Sequence, residues 1–161
     1  MRQEEFERLY EEHAGDLLGF LTYRCGDRSL AEDLLADTFE RVLRARRRFD
    51  PRRGSRKTWV YSIALNLLRD HARRQAAEAR ALERVRPTAA DESARELDGF
   101  GERDELMRAL QTLSDEEREA IALRYGADLT VPEIARLTGE RLTTVEGRVY
   151  RGLGKLRDLL E

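Results

Sequence analysis

Cysteine is almost absent: Cys25 stands alone, which excludes a disulfide framework and any cysteine cluster for zinc. Histidine is nearly as scarce, and His13 and His71 lie too far apart in the chain to suggest a metal site. No apolar run approaches the roughly 20 residues of a membrane span. The opening MRQEEFERLY has none of the apolar core of a signal peptide, so the expectation is a cytoplasmic protein without membrane insertion. Nowhere do residues alternate as a strand would, and the class expected is all-α. A phosphate-cradling glycine loop, an activated nucleophile and a metal-ligand cluster are all missing. The sequence therefore offers nothing for an enzyme and calls for no cofactor.

What the chain has is charge. Asp, Glu, Lys and Arg make up 39% of its 161 residues, yet the net charge is only −2, because the signs are segregated. Residues 41–86 hold 15 Lys/Arg against 4 Asp/Glu, whereas residues 1–40 and 87–120 are each strongly acidic. A basic block of this density points to a polyanion, since each phosphate neutralised releases counterions and adds sequence-independent affinity. The acidic N-terminal block suits a protein partner with a basic surface. The alternative is a solvated face with charges paired within the chain.

Periodicity divides the chain into helices. Residues 4–21 place Phe6, Leu9, Tyr10, Leu17 and Leu21 on one side. Ser29 with Glu32 reads as a capping box opening a second helix to about Arg47, with Leu34, Leu35, Phe39, Val42 and Leu43 as its apolar face. Pro51 and Gly54 then mark a turn, and a third helix begins near Ser55 and runs toward Arg86. On it Val60, Ile63, Ala64, Leu67 and His71 form an apolar stripe, while Trp59, Ser62, Asn66, Arg69 and Arg73 form a polar one. A Trp, an amide and two guanidiniums in line suit unpaired bases, which can be stacked, hydrogen-bonded at an edge and held by phosphate. The competing reading is a Trp half-buried at a helix contact.

Residues 87–103, with two Gly, a Pro and many carboxylates, read as a flexible linker between modules at 1–86 and 104–161. In the second module Ser114 with Glu117 and Thr130 with Glu133 are two further capping boxes, and Pro132 sits in a first helical turn, where its missing N–H does no harm. A short helix, a turn at Gly139 and a longer helix make a helix-turn-helix pattern. Such a second helix enters the major groove with its N-terminal part. Thr143, Thr144 and Arg148 are then candidates for base edges or nearby phosphates, and Arg136, Arg141, Arg151 and Lys155 for backbone contacts.

With both modules in view, the chain resembles the extracytoplasmic-function (ECF, group 4) sigma factors of bacterial RNA polymerase, within the sigma-70 family. The stretch LAEDLLADTFERVLRARRRFDPRRGSRKTWVYSIALNLLRDHARR resembles the family's region 2, with TWVYSIALN its most specific part. LSDEEREAIALRYG followed by the helix-turn-helix resembles region 4. The resemblance implies a two-domain helical fold and a monomer when free. Its implied partners are core polymerase, promoter DNA and an anti-sigma factor. It puts Asp33, Asp37, Phe39, Glu40 and Arg41 against the clamp helices of the largest polymerase subunit, and region 4 against the flap of the second-largest. It also assigns Arg48, Arg53, Lys57, Trp59, Asn66, Arg69 and Arg73 to opening the −10 element, with Asn66 at the edge of an extruded base. Region 4 would read the −35 element.

This chain departs from the family's pattern at the turn. Glu140 and Arg141 stand where an apolar residue and a capping Ser are usual, and Glu146 and Gly147 where Lys and Ser are common. The residues suggest a later helix start, with Thr143 and Glu146 as a capping box, and a weak or altered −35 contact. Gly147, Gly152 and Gly154 each lower helix stability by about 1 kcal/mol relative to Ala. The rival function is a stand-alone helix-turn-helix regulator that binds DNA without polymerase.

Overall fold

The computed structural model of the chain describes residues 1–85 and 102–161, in two compact units. All but the last two residues of the expected linker lie outside the described residues. Among the described residues regular structure is helical throughout, as the absence of alternating segments predicts.

Among the described residues the first unit holds three α-helices. Helix α1 (Gln3–Cys25) buries Leu9, Leu17, Phe20 and Leu21, and it ends where Gly26 takes the left-handed conformation at φ 71°. Helix α2 (Arg28–Arg44) is capped not by Ser29 but by Asp27, whose carboxylate accepts from the Ser29 and Leu30 amides. Asp and Ser cap about equally well. With the Asp in place, Glu32 pairs with Arg28 at 3.3 Å instead of closing a box. The helix also ends earlier than expected, and Arg46–Arg48 form a separate 3₁₀ turn. Leu43 and Tyr10, expected on the apolar faces of their helices, are 40% and 45% exposed.

Helix α3 (Arg56–Val85) opens on Ser55, whose hydroxyl accepts the Thr58 amide at 3.1 Å. Its buried set is Thr58, Val60, Tyr61, Ala64, Leu65, Leu67 and Leu68, whereas Ile63 and His71 are only half-buried. The single-stripe expectation was too narrow because α3 packs on both α1 and α2, and two contacts bury a wider arc than one. Tyr61 is wholly enclosed, its ring edge-on to Phe20 at 5.8 Å. Burial pushes its phenol pKa up, and the nearby Asp16 carboxylate adds to the effect. Beyond His71 the helix leaves the bundle, and every residue from 72 to 83 is exposed.

In the second unit α4 (Glu102–Gln111), α5 (Asp115–Ile121) and α6 (Val131–Thr138) all pack on α7 (Leu142–Leu160). Both expected capping boxes form here: Ser114 with Glu117, and Thr130 with Glu133. Residues Ala122–Gly126 follow α5 as a π-helical turn. Arg118 ties α5 to the end of α4 by donating to the Leu110, Gln111 and Leu113 carbonyls. Leu113, Leu123, Leu129, Ile134 and Val145 form the centre of the core.

Candidate nucleic-acid interface

The basic centre of the first unit is a folded turn. Asp50 caps the 3₁₀ turn Pro51–Arg53 by accepting the Arg52 amide at 3.0 Å, and it pairs with the Arg52 guanidinium at 3.1 Å. The hydrogen bond from the Arg52 side chain holds the Asp50 carboxyl below its ordinary range. The turn leaves Arg48 and Arg53 exposed, while Lys57, on the first turn of α3, is half-buried.

Phe49, between the two 3₁₀ turns, packs on Trp59 with ring centroids 5.3 Å apart, and the Arg56 guanidinium lies 5.7 Å from the Phe49 ring. Arg56 also reaches Glu5 at 3.5 Å. Trp59 is thus half-buried against a second aromatic, close to the edge-of-contact alternative, and it keeps only part of its surface for stacking. Asn66, two turns on, is exposed, and Arg69 is half-buried. Arg73 is exposed and pairs with Asp70. Phe49 and Arg56, in and just after the turn, were not among the expected site residues. Their signal was an aromatic at the mouth of the arginine turn.

On α2 the side chains of Asp33, Asp37, Glu40 and Arg41 are exposed, with Glu40 held by Arg44 at 2.6 Å. Phe39 is different. It is 4% exposed and packs edge-on to Phe6 and Tyr10, at 6.2 and 4.8 Å. Phe39 therefore joins α2 to α1 and does not stand on the outer face with the four charged residues.

In the second unit α6 ends at Gly139, left-handed at φ 73°, and α7 begins directly at Leu142 with Arg141 at the N-cap. The expected Thr143–Glu146 box is not formed. Starting at Leu142 lets Val145, in the first turn, bury itself fully in the core. Arg136, Arg141 and Thr143 are exposed and Thr144 is half-buried. Tyr150, 81% exposed on the outer side of α7, is a contact candidate the sequence reading overlooked.

The three candidate cations farther along α7, Arg148, Arg151 and Lys155, are each engaged by a carboxylate. Arg148 Nη1 donates to Glu140 Oε1 at 3.1 Å. Lys155 Nζ donates to Glu117 Oε1 at 2.7 Å, and Arg151 Nε lies 3.6 Å from Glu117 Oε2. Glu117 is buried, and its Oε1 also accepts the Ser114 amide at 3.1 Å. The Lys155 hydrogen bond, helped by the Ser114 amide and opposed by burial, holds its carboxyl below the ordinary range. Gly152 allows this meeting of α5 and α7, since a Cβ there would come within 2.8 Å of Ile121 Cγ1. Among the described residues no group of His, Cys, Asp and Glu could hold a metal ion, and no helix is long and apolar enough to cross a membrane.

An arginine turn beside an aromatic and amide-bearing helix, followed by a helix-turn-helix unit, defines a two-module nucleic-acid-binding protein. Comparison with known proteins makes this specific. Residues 9–78 match the family Sigma-70 region 2, and residues 103–156 match Sigma-70, region 4. The RNA polymerase sigma factor CarQ of Myxococcus xanthus is 37% identical over 164 residues, covering 98% of this chain and 90% of CarQ. The ECF RNA polymerase sigma factor BldN of Streptomyces coelicolor is 29% identical, covering 96% of this chain and 60% of BldN. Thus the chain spans nearly all of one relative but less than two thirds of the other. Among solved structures, the sigma factor RpoE of Bartonella quintana, in complex with the anti-sigma factor NepR, has the same fold. Its TM-score is 0.80 at 23% identity, covering 98% of this chain and 97% of RpoE. CnrH, in complex with the cytosolic domain of CnrY, gives a TM-score of 0.70 at 25% identity, covering 99% of this chain and 89% of CnrH. The chain belongs to the ECF sigma factors of the sigma-70 family and is an RNA polymerase sigma factor.

Proposed function

We propose that the chain binds core RNA polymerase in the cytoplasm and directs it to promoters, with no catalysis of its own. Residues 1–86 engage the clamp helices of the largest subunit and open the −10 element. Residues 104–161 engage the flap of the second-largest subunit and read the −35 element, with 87–103 as the linker. The outer face of α2 supplies the clamp contact through Asp33, Asp37, Glu40 and Arg41. Arg48, Arg53, Lys57, Arg69 and Arg73 hold the opened strand, Trp59 supplies a partial stacking surface, and Asn66 reads the edge of an extruded base. Melting is driven by binding, since unstacking a base costs a few kcal/mol and the cationic and stacking contacts offset it. RpoE is in complex with the anti-sigma factor NepR and CnrH with the cytosolic domain of CnrY, and an anti-sigma partner is part of the reading proposed for this chain.

The observation that carries the reading is the exposed amide of Asn66 on the helix that leaves the arginine turn, within the segment that matches region 2. The test is whether the purified chain comigrates with bacterial core polymerase, and whether the complex, but neither part alone, initiates from specific promoters. DNA binding without core, as a dimer on repeated half-sites, would instead favour the stand-alone regulator. A substitution refines the assignment: Asn66→Ala is expected to relax −10 preference by roughly 10-fold, as the loss of a base contact of ~1–3 kcal/mol would, while comigration with core is retained. Unchanged promoter choice in transcription assays would remove Asn66 from the base-reading role.

A further inference from the structure

The departures at Glu140 and Gly147 have a common structural outcome. Glu140 follows the left-handed Gly139, and its carboxylate reaches across the turn to Arg148, eight residues on. The Arg148 side chain is 22% exposed and its partner 37% exposed, so the pair is partly shielded from water. At Gly147 a Cβ would meet the Arg151 guanidinium at 3.0 Å, so the missing side chain leaves room for that guanidinium to lie across the helix. From there Arg151 points to Glu117, which also holds Lys155. Three cations on one edge of the recognition helix are therefore matched by two carboxylates.

This pairing changes what the cations can do. A cation free in solvent neutralises phosphate on any sequence and steepens the salt dependence of binding. A guanidinium fixed by a carboxylate contributes little net charge, yet it keeps further N–H donors in a set orientation, as reading a guanine edge requires. We propose that Glu140 is a positioning residue for promoter recognition. By holding Arg148 it withdraws that arginine from phosphate and orients it toward a base edge, lowering non-specific affinity and sharpening −35 preference. This inference rests on the −35 reading of the second unit proposed above.

The test uses the full chain assembled with bacterial core polymerase and a duplex library randomised over about 40 base pairs, from which the bound duplexes are selected and sequenced. The duplex selected by the unmodified protein, and single-base variants of its upstream element, are then bound across a salt series by the protein and its Glu140→Gln, Arg148→Ala and double variants. Glu140→Gln is expected to tighten binding to scrambled duplex and to steepen the log–log salt slope by about 0.9, the value for one added phosphate contact. Discrimination at one base position should fall by about 3–10-fold, within the range for loss of an oriented base contact. In the Arg148→Ala background the same substitution should leave discrimination unchanged, which a role in general charge or in folding would not produce.

The inference is overturned if Glu140→Gln leaves slope and preference as they were, or if it alters preference equally with and without Arg148. Should the unmodified protein enrich a downstream element but no upstream one, the −35 reading itself fails and takes this inference with it. Those two failures are separable because the first leaves an upstream motif to be measured.

Discussion

Replacing Gly152 with Val is expected to unfold the second unit or to lower its stability by about 3 kcal/mol or more, since overpacking a filled core costs ~1–3 kcal/mol and β-branching adds to it. The neighbouring atoms are Ile121 Cγ1 at 2.8 Å and Cδ1 at 3.2 Å, with the Glu117 carbonyl oxygen at 3.7 Å, so the substituent meets a branched side chain backed by helix. Two residues on, Gly154 has nothing within 4 Å of an added Cβ. Gly154→Ala is therefore expected to stabilise the same helix by about 1 kcal/mol through propensity alone. One substitution lowers and the other raises the melting temperature, by ~4–8 °C per kcal/mol for a unit of this size. Trp59, the only Trp, lies in the first unit, so its fluorescence should stay at the unmodified midpoint while the helical circular dichroism transition moves. A parallel loss in Trp fluorescence would mean that the two units do not unfold independently.

Glu117 is expected to produce the second large effect, and one that depends on pH. Its carboxylate closes the N-terminal cap of α5 and holds Lys155 and Arg151 of α7, so Glu117→Ala removes a cap and a charged hydrogen bond together. Caps contribute about 1 kcal/mol and hydrogen bonds to charged groups about 1.5–3 kcal/mol. Because Lys155 and Arg151 are largely exposed and can return to water, a total near 3 kcal/mol is expected. The folded state lowers the carboxyl's pKa from its ordinary 4.5, so the unfolded chain binds the proton more readily. The stabilisation is present in full above that ordinary value and is lost as pH falls through the folded one. In Glu117→Gln the second unit should be less stable at neutral pH and should lose less on acidification. If both proteins weaken in parallel between pH 5 and 3, the ion pair is not what couples this unit to pH.

The local grammar of the second unit was largely legible. Ser114 with Glu117 and Thr130 with Glu133 are short-range signals, satisfied by backbone amides three residues away, and both form as read. Gly139 takes the left-handed turn that a helix-turn-helix requires. Where two equally good local solutions competed, the sequence could not choose between them. Asp27 rather than Ser29 caps α2, and the burial of Val145 sets the start of α7 ahead of the Thr143–Glu146 box. Contacts between helices were less legible still. The arc of α3 that includes Tyr61 depends on packing against two helices at once, whereas Phe39, read on the apolar face of α2, is buried as that pattern expects and meets Phe6 and Tyr10 from α1. The partners of Arg148 and Lys155 lie eight and 38 residues away, beyond any periodic pattern. Gly152, read as a weak point in a helix, is where an added side chain would collide with Ile121 of the facing helix.

Helix α3 joins two thermodynamic regimes in one continuous rod. Its first turns share the core of the first unit, and their amides should exchange with solvent only when that unit opens as a whole. From residue 72 to 83 no side chain is buried, and a helical stretch this short is marginal in water when nothing packs against it. The far half of the rod therefore behaves as a helix whose persistence is set from outside. Any surface that settles on it gains a preformed scaffold at its root and supplies the ordering of its tip, so binding there is coupled to folding along a single helix.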